Sequence, residues 1–122
     1  MLFRSRTIAV ARLVLDPEIS VQAPPNLSPD DHALLLRAGL NDWGGISPLT
    51  PDYVNPEAPW PHVATLAATC HAAGYALAER LPIYSRYVTR AGWLDPSLRP
   101  RVEALAGTAS RAVPSAPEAS LS

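Results

Sequence analysis

Cysteine is nearly absent from this sequence. Cys70 is the single cysteine among 122 residues, so the chain cannot form an internal disulfide. It also cannot by itself hold a zinc ion or an iron–sulfur cluster through several thiolates. A lone thiol suits the reducing cytoplasm, and we expect the protein to be cytoplasmic.

Neither sign of charge dominates the sequence. Ten Lys and Arg against eleven Asp and Glu give a formal net charge of −1, which favours neither nucleic acid nor a membrane as a partner. The apolar run at residues 7–15 contains Arg12 and is too short to cross a bilayer. A signal peptide is the alternative interpretation of this run, but Asp16-Pro17-Glu18 makes a poor cleavage region.

Proline, by contrast, is abundant, with 14 residues. Because proline is excluded from long helices and central strands, it divides the chain into short elements. Apolar periodicity and capping residues predict helices at 4–15, 28–39, 60–74 and 95–106, with a helical turn at 83–88. Short strands are predicted at 19–23, 40–43 and 75–79.

The alternation of helices with short strands indicates an α/β fold with a parallel sheet and right-handed crossovers. A closed (β/α) barrel needs about 250 residues. We therefore expect residues 1–106 to form part of a (β/α) TIM-type barrel, about three β/α units, with open sheet edges. Residues 107–122 are rich in Ala, Ser and Pro without periodicity, which predicts a linker or a disordered tail.

Polar residues follow the first two predicted strands, where ligands bind in such sheets. Gln22 can hydrogen-bond a heterocycle, or Gln22 and Asn26 can satisfy backbone groups of their own loop. Asn41 and Asp42 are suited to ribose hydroxyls or a uracil edge. Gly44-Gly45 can cradle an acceptor, or form a tight turn that Asp42 caps.

Three further groups of residues are open to two interpretations. Glu79-Arg80, at the end of the third predicted strand, can hold a polar substrate or form a structural ion pair. The polar residues of the long loop at 46–58, such as Asp52, can form a lid or cap turns. The histidines lack the spacing of metal ligands, so we expect them to be ordinary helix residues. Cys70 lies on an apolar helix face, so we expect it to be a core residue.

Several strings of residues are more specific than these patterns. They are Val21-Gln-Ala-Pro-Pro-Asn-Leu27, Gly39 to Glu57 with Asn-Asp-Trp-Gly-Gly-Ile-Ser-Pro inside it, Pro59-Trp-Pro61, Ala78-Glu-Arg-Leu-Pro-Ile-Tyr84 and Trp93-Leu-Asp-Pro96. They closely resemble FO synthases, radical S-adenosylmethionine (SAM) enzymes. The resemblance covers about residues 4–106 and favours the cyclising half of the enzyme.

The resemblance implies formation of 7,8-didemethyl-8-hydroxy-5-deazariboflavin, the chromophore of coenzyme F420. Members of the family use a [4Fe–4S] cluster to cleave SAM, and the resulting radical closes a ring on a small ribityluracil-derived substrate. The SAM or substrate contacts that it implies here are Gln22, Asn26, Asn41, Asp42, Gly44, Gly45 and Glu79. The resemblance identifies no catalytic residue.

The sequence departs from the family in one respect. The C-x-x-x-C-x-x-C loop that binds the cluster is absent. We therefore expect a C-terminal portion of the enzyme that is inactive alone and needs a missing N-terminal barrel portion, or a second radical SAM half, as partner. The alternative is a non-catalytic remnant or interaction module that docks through open sheet edges and an apolar first helix.

Overall fold

The computed structural model describes residues 2–109 as helices joined by loops. The chain divides into two compact units, Met1–Leu77 and Ala78–Ser122. The helices of the first unit are α1 (Leu2–Val14), α2 (His32–Ala38) and α3 (Val63–Ala72), with a 3₁₀ turn at Pro25–Leu27. Those of the second unit are α4 (Ser85–Val88) and α5 (Arg99–Ala109). Each helix lies within or close to a segment that the sequence predicts to be helical.

The prediction of a partial (β/α) barrel is wrong. No strand forms within residues 2–109, and the two segments that come closest to a sheet share one parallel bridge, between Gln22 and Asp42. A strand needs repeated backbone hydrogen bonds to a neighbour. Here Pro24-Pro25 removes the next donors on one side, and residues 75–79 pair with neither segment. The described residues do not provide the paired neighbours that make a sheet.

Helix α2 starts later than the sequence predicts. Ser28, where the predicted helix begins, accepts a hydrogen bond from the Arg4 guanidinium at 2.7 Å, and it does not cap the helix. Arg4 also donates to the Leu27 carbonyl. A turn in which Asp31 N–H donates to the Ser28 carbonyl occupies residues 28–31, and the helix begins at His32. A tertiary contact from α1 therefore displaces a local capping preference.

The core of the first unit lies where α2 meets α1 and α3. It comprises Ile8, Val21, Leu35, Leu36, Leu40, Trp43, Leu66 and Cys70. Leu35 and Leu66 are essentially inaccessible to solvent, and each buried Leu contributes about 1.5–3 kcal/mol relative to an exposed one. Cys70 is buried in this cluster, which confirms the prediction that it is a core residue.

His32 ties the start of α2 to the core and to the 3₁₀ turn. Its Nε2–H donates to the Pro25 carbonyl at 2.8 Å, because a carbonyl oxygen can only accept. Its ring meets the Trp43 ring edge-on, with centroids 5.0 Å apart. Both side chains are buried. His32 therefore has a structural role, as the sequence predicts.

Arg12 and Gly39 fix the geometry of the segments that follow α1 and α2. Arg12 Nε donates to the Gly39 carbonyl and Nη1 donates to the Ile19 carbonyl, both at 2.9 Å. Gly39 has φ +110°, a conformation that favours glycine. A Cβ atom at this position would lie 2.6 Å from Arg12 Cγ. The turn therefore requires glycine for its backbone angle and for its closeness to Arg12.

The long loop after Gly45 is organised by Asp52. Its Oδ1 accepts from the backbone N–H groups of Val54 and Asn55, and its Oδ2 accepts from the side chains of Asn26 and Asn55. The hydrogen bond from Asn26, followed by those from Asn55, lowers the pKa of Asp52 below its usual 3.8. The Asn26 bond holds the loop against the 3₁₀ turn.

In the second unit, aromatic rings and arginines cluster around α4. The guanidinium carbon of Arg80 lies 4.4 Å from the Tyr84 ring centroid, and the Tyr87 and Trp93 rings are 4.5 Å apart. Arg99, in α5, donates to the Val88 carbonyl at 2.6 Å. These contacts hold the two short helices of this unit together.

Two further observations concern the lengths of the helices. In the part of the chain that the structure describes, no helix has the length and apolar character needed to cross a membrane. Helix α5 continues to Ala109, three residues into the predicted linker at 107–122. The rest of that segment, residues 110–122, lies outside the described residues.

Replacing Gly39 by Ala should destabilise the protein. A non-glycine residue in this conformation costs about 1–3 kcal/mol, and the new methyl group also collides with Arg12. Thermal unfolding followed by circular dichroism should show a lower Tm. Gly45→Ala is the matched control, because a Cβ there meets nothing within 4 Å, and an equal loss in both variants would contradict the argument.

The stabilisation provided by Asp52 should depend on pH. Because the folded pKa of Asp52 is lowered, its contribution is fully present above the unfolded value of about 3.9 and is lost as the pH falls through the folded value. Asp52→Asn should therefore lower the Tm at pH 7 and lower it much less near pH 3. Asp30→Asn is the charge-matched control, because it removes the same charge at an exposed position. A Tm deficit of Asp52→Asn that stayed constant with pH would contradict the assignment.

Candidate functional site

The candidate site is a small group of polar residues where two extended segments run side by side. The Asn41 N–H donates to the Val21 carbonyl at 3.2 Å, and the Ala23 N–H donates to the Asp42 carbonyl at 3.3 Å. This pairing brings together residues that are 20 positions apart in the sequence. We call Gln22, Asn41, Asp42 and Gly44 the rim cluster.

Gln22 and Asp42 contact each other directly. Gln22 Nε2 donates to Asp42 Oδ2 at 3.0 Å. A carboxylate can only accept, so the amide nitrogen must face Asp42 and the amide oxygen must face the other way. Gln22 is exposed and Asp42 is half-buried. The pair thus presents a carboxylate and an oriented amide at the surface.

Gly44 closes a tight turn beside this pair. Asp42 Oδ1 accepts from the Gly44 N–H at 2.9 Å, and Gly44 has φ +72°. A Cβ on Gly44 would lie 3.5 Å from Gln22 Cδ and Oε1. The Asp42-capped turn, one of the two interpretations that the sequence left open, is therefore present. Whether the same residues contact a ligand stays a prediction.

Asn41 uses its side chain to extend the pairing of the two segments. Its Oδ1 accepts from the Val21 N–H at 2.8 Å, while its own N–H donates to the Val21 carbonyl. The residue is exposed. Asn41 therefore fixes the register that places Gln22 opposite Asp42.

The other predicted site residues are not part of the rim cluster. Asn26 is buried, and its Nδ2 donates to Asp52 Oδ2 at 2.9 Å and to the Ala58 carbonyl at 3.2 Å. Gly45 is exposed, and there is open space where its Cβ would be. Glu79 is exposed and belongs to the second unit. Their proposed ligand contacts stay predictions.

A pocket lies next to Gln22, between the first turns of α1 and the segment at 22–28. Its volume is about 250 Å³. The lining is mostly apolar and includes Phe3, Ile8, Ala23, Leu27 and Leu35, with Gln22 at its edge. It is smaller than the roughly 300–1,000 Å³ of most small-molecule sites.

The described residues provide no metal centre. Within residues 2–109, no three His, Cys, Asp or Glu side chains are grouped so that they could hold a metal ion. Cys70, the single thiol, lies in the core. The rim cluster offers hydrogen-bonding groups, and ligand binding there stays a prediction.

Sequence patterns missed two sets of contacts in the first unit. Arg12 was noted only as an interruption of an apolar run, yet it bonds to the carbonyls of Ile19 and Gly39, just before each rim segment. The Asn26–Asp52 contact joins residues 26 positions apart. No local pattern predicts either contact, because both depend on how the helices pack.

Comparison with known proteins identifies clear relatives. The chain is 55% identical over 100 residues to the FO synthase of Streptomyces coelicolor and 54% identical over 106 residues to that of Mycobacterium tuberculosis. It is 53% identical over 100 residues to the 7,8-didemethyl-8-hydroxy-5-deazariboflavin synthase of Methanopyrus kandleri. No family model and no solved structure matches the chain.

These relatives are much longer than the matched region. The alignments cover 81% and 85% of this chain but only 12% of the Streptomyces and Mycobacterium proteins. The alignment to the Methanopyrus protein covers 82% of this chain and 29% of that protein. The resemblance predicted from the sequence is confirmed: the chain is homologous to one segment of the FO synthase family.

Proposed function

We propose that this chain supplies one portion of an FO synthase, the part that presents the rim cluster to SAM or to the ribityluracil-derived substrate. The reaction class is that of a radical SAM lyase that forms the deazaflavin chromophore of coenzyme F420. A chain with one cysteine suits a cytoplasmic enzyme, since thiols stay reduced there.

The observation that carries this proposal is sequence identity of 50–55% over more than four fifths of the chain to proteins named FO synthase. The matched residues provide binding groups rather than a complete site. The share of each relative that is matched, 12% or 29%, leaves most of the enzyme to other sequence. The chain alone is therefore proposed to be inactive.

Within this portion, the rim cluster would bind and orient a ligand. The Asp42 carboxylate accepts hydrogen bonds from ribose hydroxyls or from ring N–H groups. Gln22, held by Asp42, offers an amide whose orientation is fixed. A group oriented in advance loses less entropy when it binds, which is the main physical advantage of such a pair.

Asn26 offers a second, buried hydrogen-bonding group. Both of its amide N–H contacts go to acceptors, Asp52 and Ala58, so its Oδ1 must face away from them. That oxygen is buried and accepts no hydrogen bond from the described residues. A buried acceptor without a donor is costly, and a ligand N–H or O–H would remove that cost.

The described residues do not fit an iron–sulfur cluster. Such a cluster needs several cysteine thiolates, and the one cysteine of this chain is a buried core residue on α3. The ligands of the cluster would have to come from another part of the enzyme. The role proposed for this chain is limited to binding and orienting SAM or the substrate.

A chimeric enzyme tests the proposed function. In the Streptomyces coelicolor FO synthase, the segment that aligns with this chain would be replaced by the corresponding residues of this chain. We expect the chimera to form the deazaflavin product, detected by mass spectrometry, because more than half of the aligned residues are identical. A folded chimera that binds its cluster but makes no product would contradict the proposal.

The same chimera tests the rim cluster. Asp42→Asn should lower kcat/KM by about tenfold or more, equivalent to about 1.4 kcal/mol, because a ligand loses its charged acceptor. An Asn at this position can still cap the turn at Gly44. Asp30→Asn serves as the charge-matched control at an exposed position. If Asp42→Asn lowered only the Tm and left kcat/KM unchanged, its role would be turn capping alone.

A further inference from the structure

Helix α1 presents an apolar face to solvent. Phe3, Val10, Leu13 and Val14 are 80%, 59%, 85% and 76% exposed. At 100° per residue they share one side of the helix, opposite the buried Ser5 and Ile8. The sequence predicts an apolar first helix, and the structure leaves this face of it exposed. We call these four side chains the α1 face.

The pocket described above adjoins the α1 face. Phe3 belongs to both, and Thr7 and Ile8 of the same helix also line the pocket. A volume of about 250 Å³ with a mainly apolar lining suits one large apolar side chain better than SAM. Such a pocket beside an apolar face is typical of an anchor site in a protein–protein contact.

The size of the face helps to identify what covers it. A 13-residue helix is about 20 Å long, and the α1 face consists of four side chains, whereas a stable dimer interface uses roughly 20–30 residues on each side. A second copy of this chain is therefore a poor occupant. Apolar stripes on helices are normally covered inside a domain, and the matched relatives contain much more polypeptide than the segment aligned here.

We propose that the α1 face and its adjoining pocket form the surface that packs against the remainder of an FO synthase polypeptide, with an apolar side chain of that polypeptide in the pocket. This inference rests on the proposed function. It adds the location of the contact, on the first unit beside the rim cluster. The same contact would place Gln22, at the pocket edge, next to the rest of the enzyme.

Binding in trans is the first test. The partner is the Streptomyces coelicolor FO synthase from which the segment aligned with this chain has been deleted, and the probe is the full 122-residue chain in titration calorimetry. Leu13→Asp should weaken binding at least about tenfold. Leu49→Asp, which alters a side chain that is 91% exposed in the long loop, should leave it unchanged. Equal affinities for the two variants would overturn the proposal.

The chimera provides a second test that does not depend on a stable deletion partner. There Leu13→Asp should lower the Tm by several degrees and Leu49→Asp should not, because only Leu13 would be buried by the surrounding enzyme. Unchanged Tm values for both would overturn the proposed surface even if the unmodified chimera were fully active. An inactive chimera that still loses stability with Leu13→Asp would instead contradict the proposed function and support the surface.

Experiments on this chain without the deletion partner distinguish two other occupants of the α1 face. Concentration-dependent dimerisation that Leu13→Asp abolishes would assign the α1 face to a second copy. Binding to vesicles of anionic phospholipid that the same variant abolishes would assign it to a membrane surface. Either result, without binding to the deletion partner, would overturn the proposal.

Discussion

The hydrogen bonds of Arg12 set the positions of both segments that carry the rim cluster. The Arg12 guanidinium donates from α1 to the carbonyls of Ile19 and Gly39. Ile19 lies three residues before Gln22, and Gly39 lies three residues before Asp42. The same side chain therefore anchors both segments, and the hydrogen bonds between Asn41 and Val21 set their register. The left-handed turn at Gly39 makes this possible, since only glycine allows Arg12 to approach so closely.

In the rim cluster, turn capping and the proposed ligand binding use the same groups. Asp42 holds the Gly44 turn with one oxygen and the Gln22 amide with the other. A carboxylate has about four acceptor positions, so these two bonds do not use up its capacity. The structural contacts therefore orient the groups that we propose for ligand binding.

In the first unit, the exposed α1 face and the rim cluster both adjoin the same pocket. The pocket beside α1 reaches Gln22 at its edge, so a polypeptide that covered the α1 face would also limit water near the rim cluster. Exclusion of water strengthens hydrogen bonds to a bound ligand. One packing event would thus both complete the hydrophobic core and change the electrostatic surroundings of the candidate site.

The sequence by itself determined the positions of the helices and the family resemblance. Periodicity and glycine stops such as Gly39 act within a few residues, so α1, α2 and α3 were located without tertiary information. The Asp42 cap at Gly44 is equally local and was one of two interpretations. Only the tertiary structure decided that the extended segments share a single bridge, that Ser28 bonds to Arg4 and that one face of α1 stays exposed. Those outcomes depend on which partners lie across space, and periodicity along the chain carries no information about them.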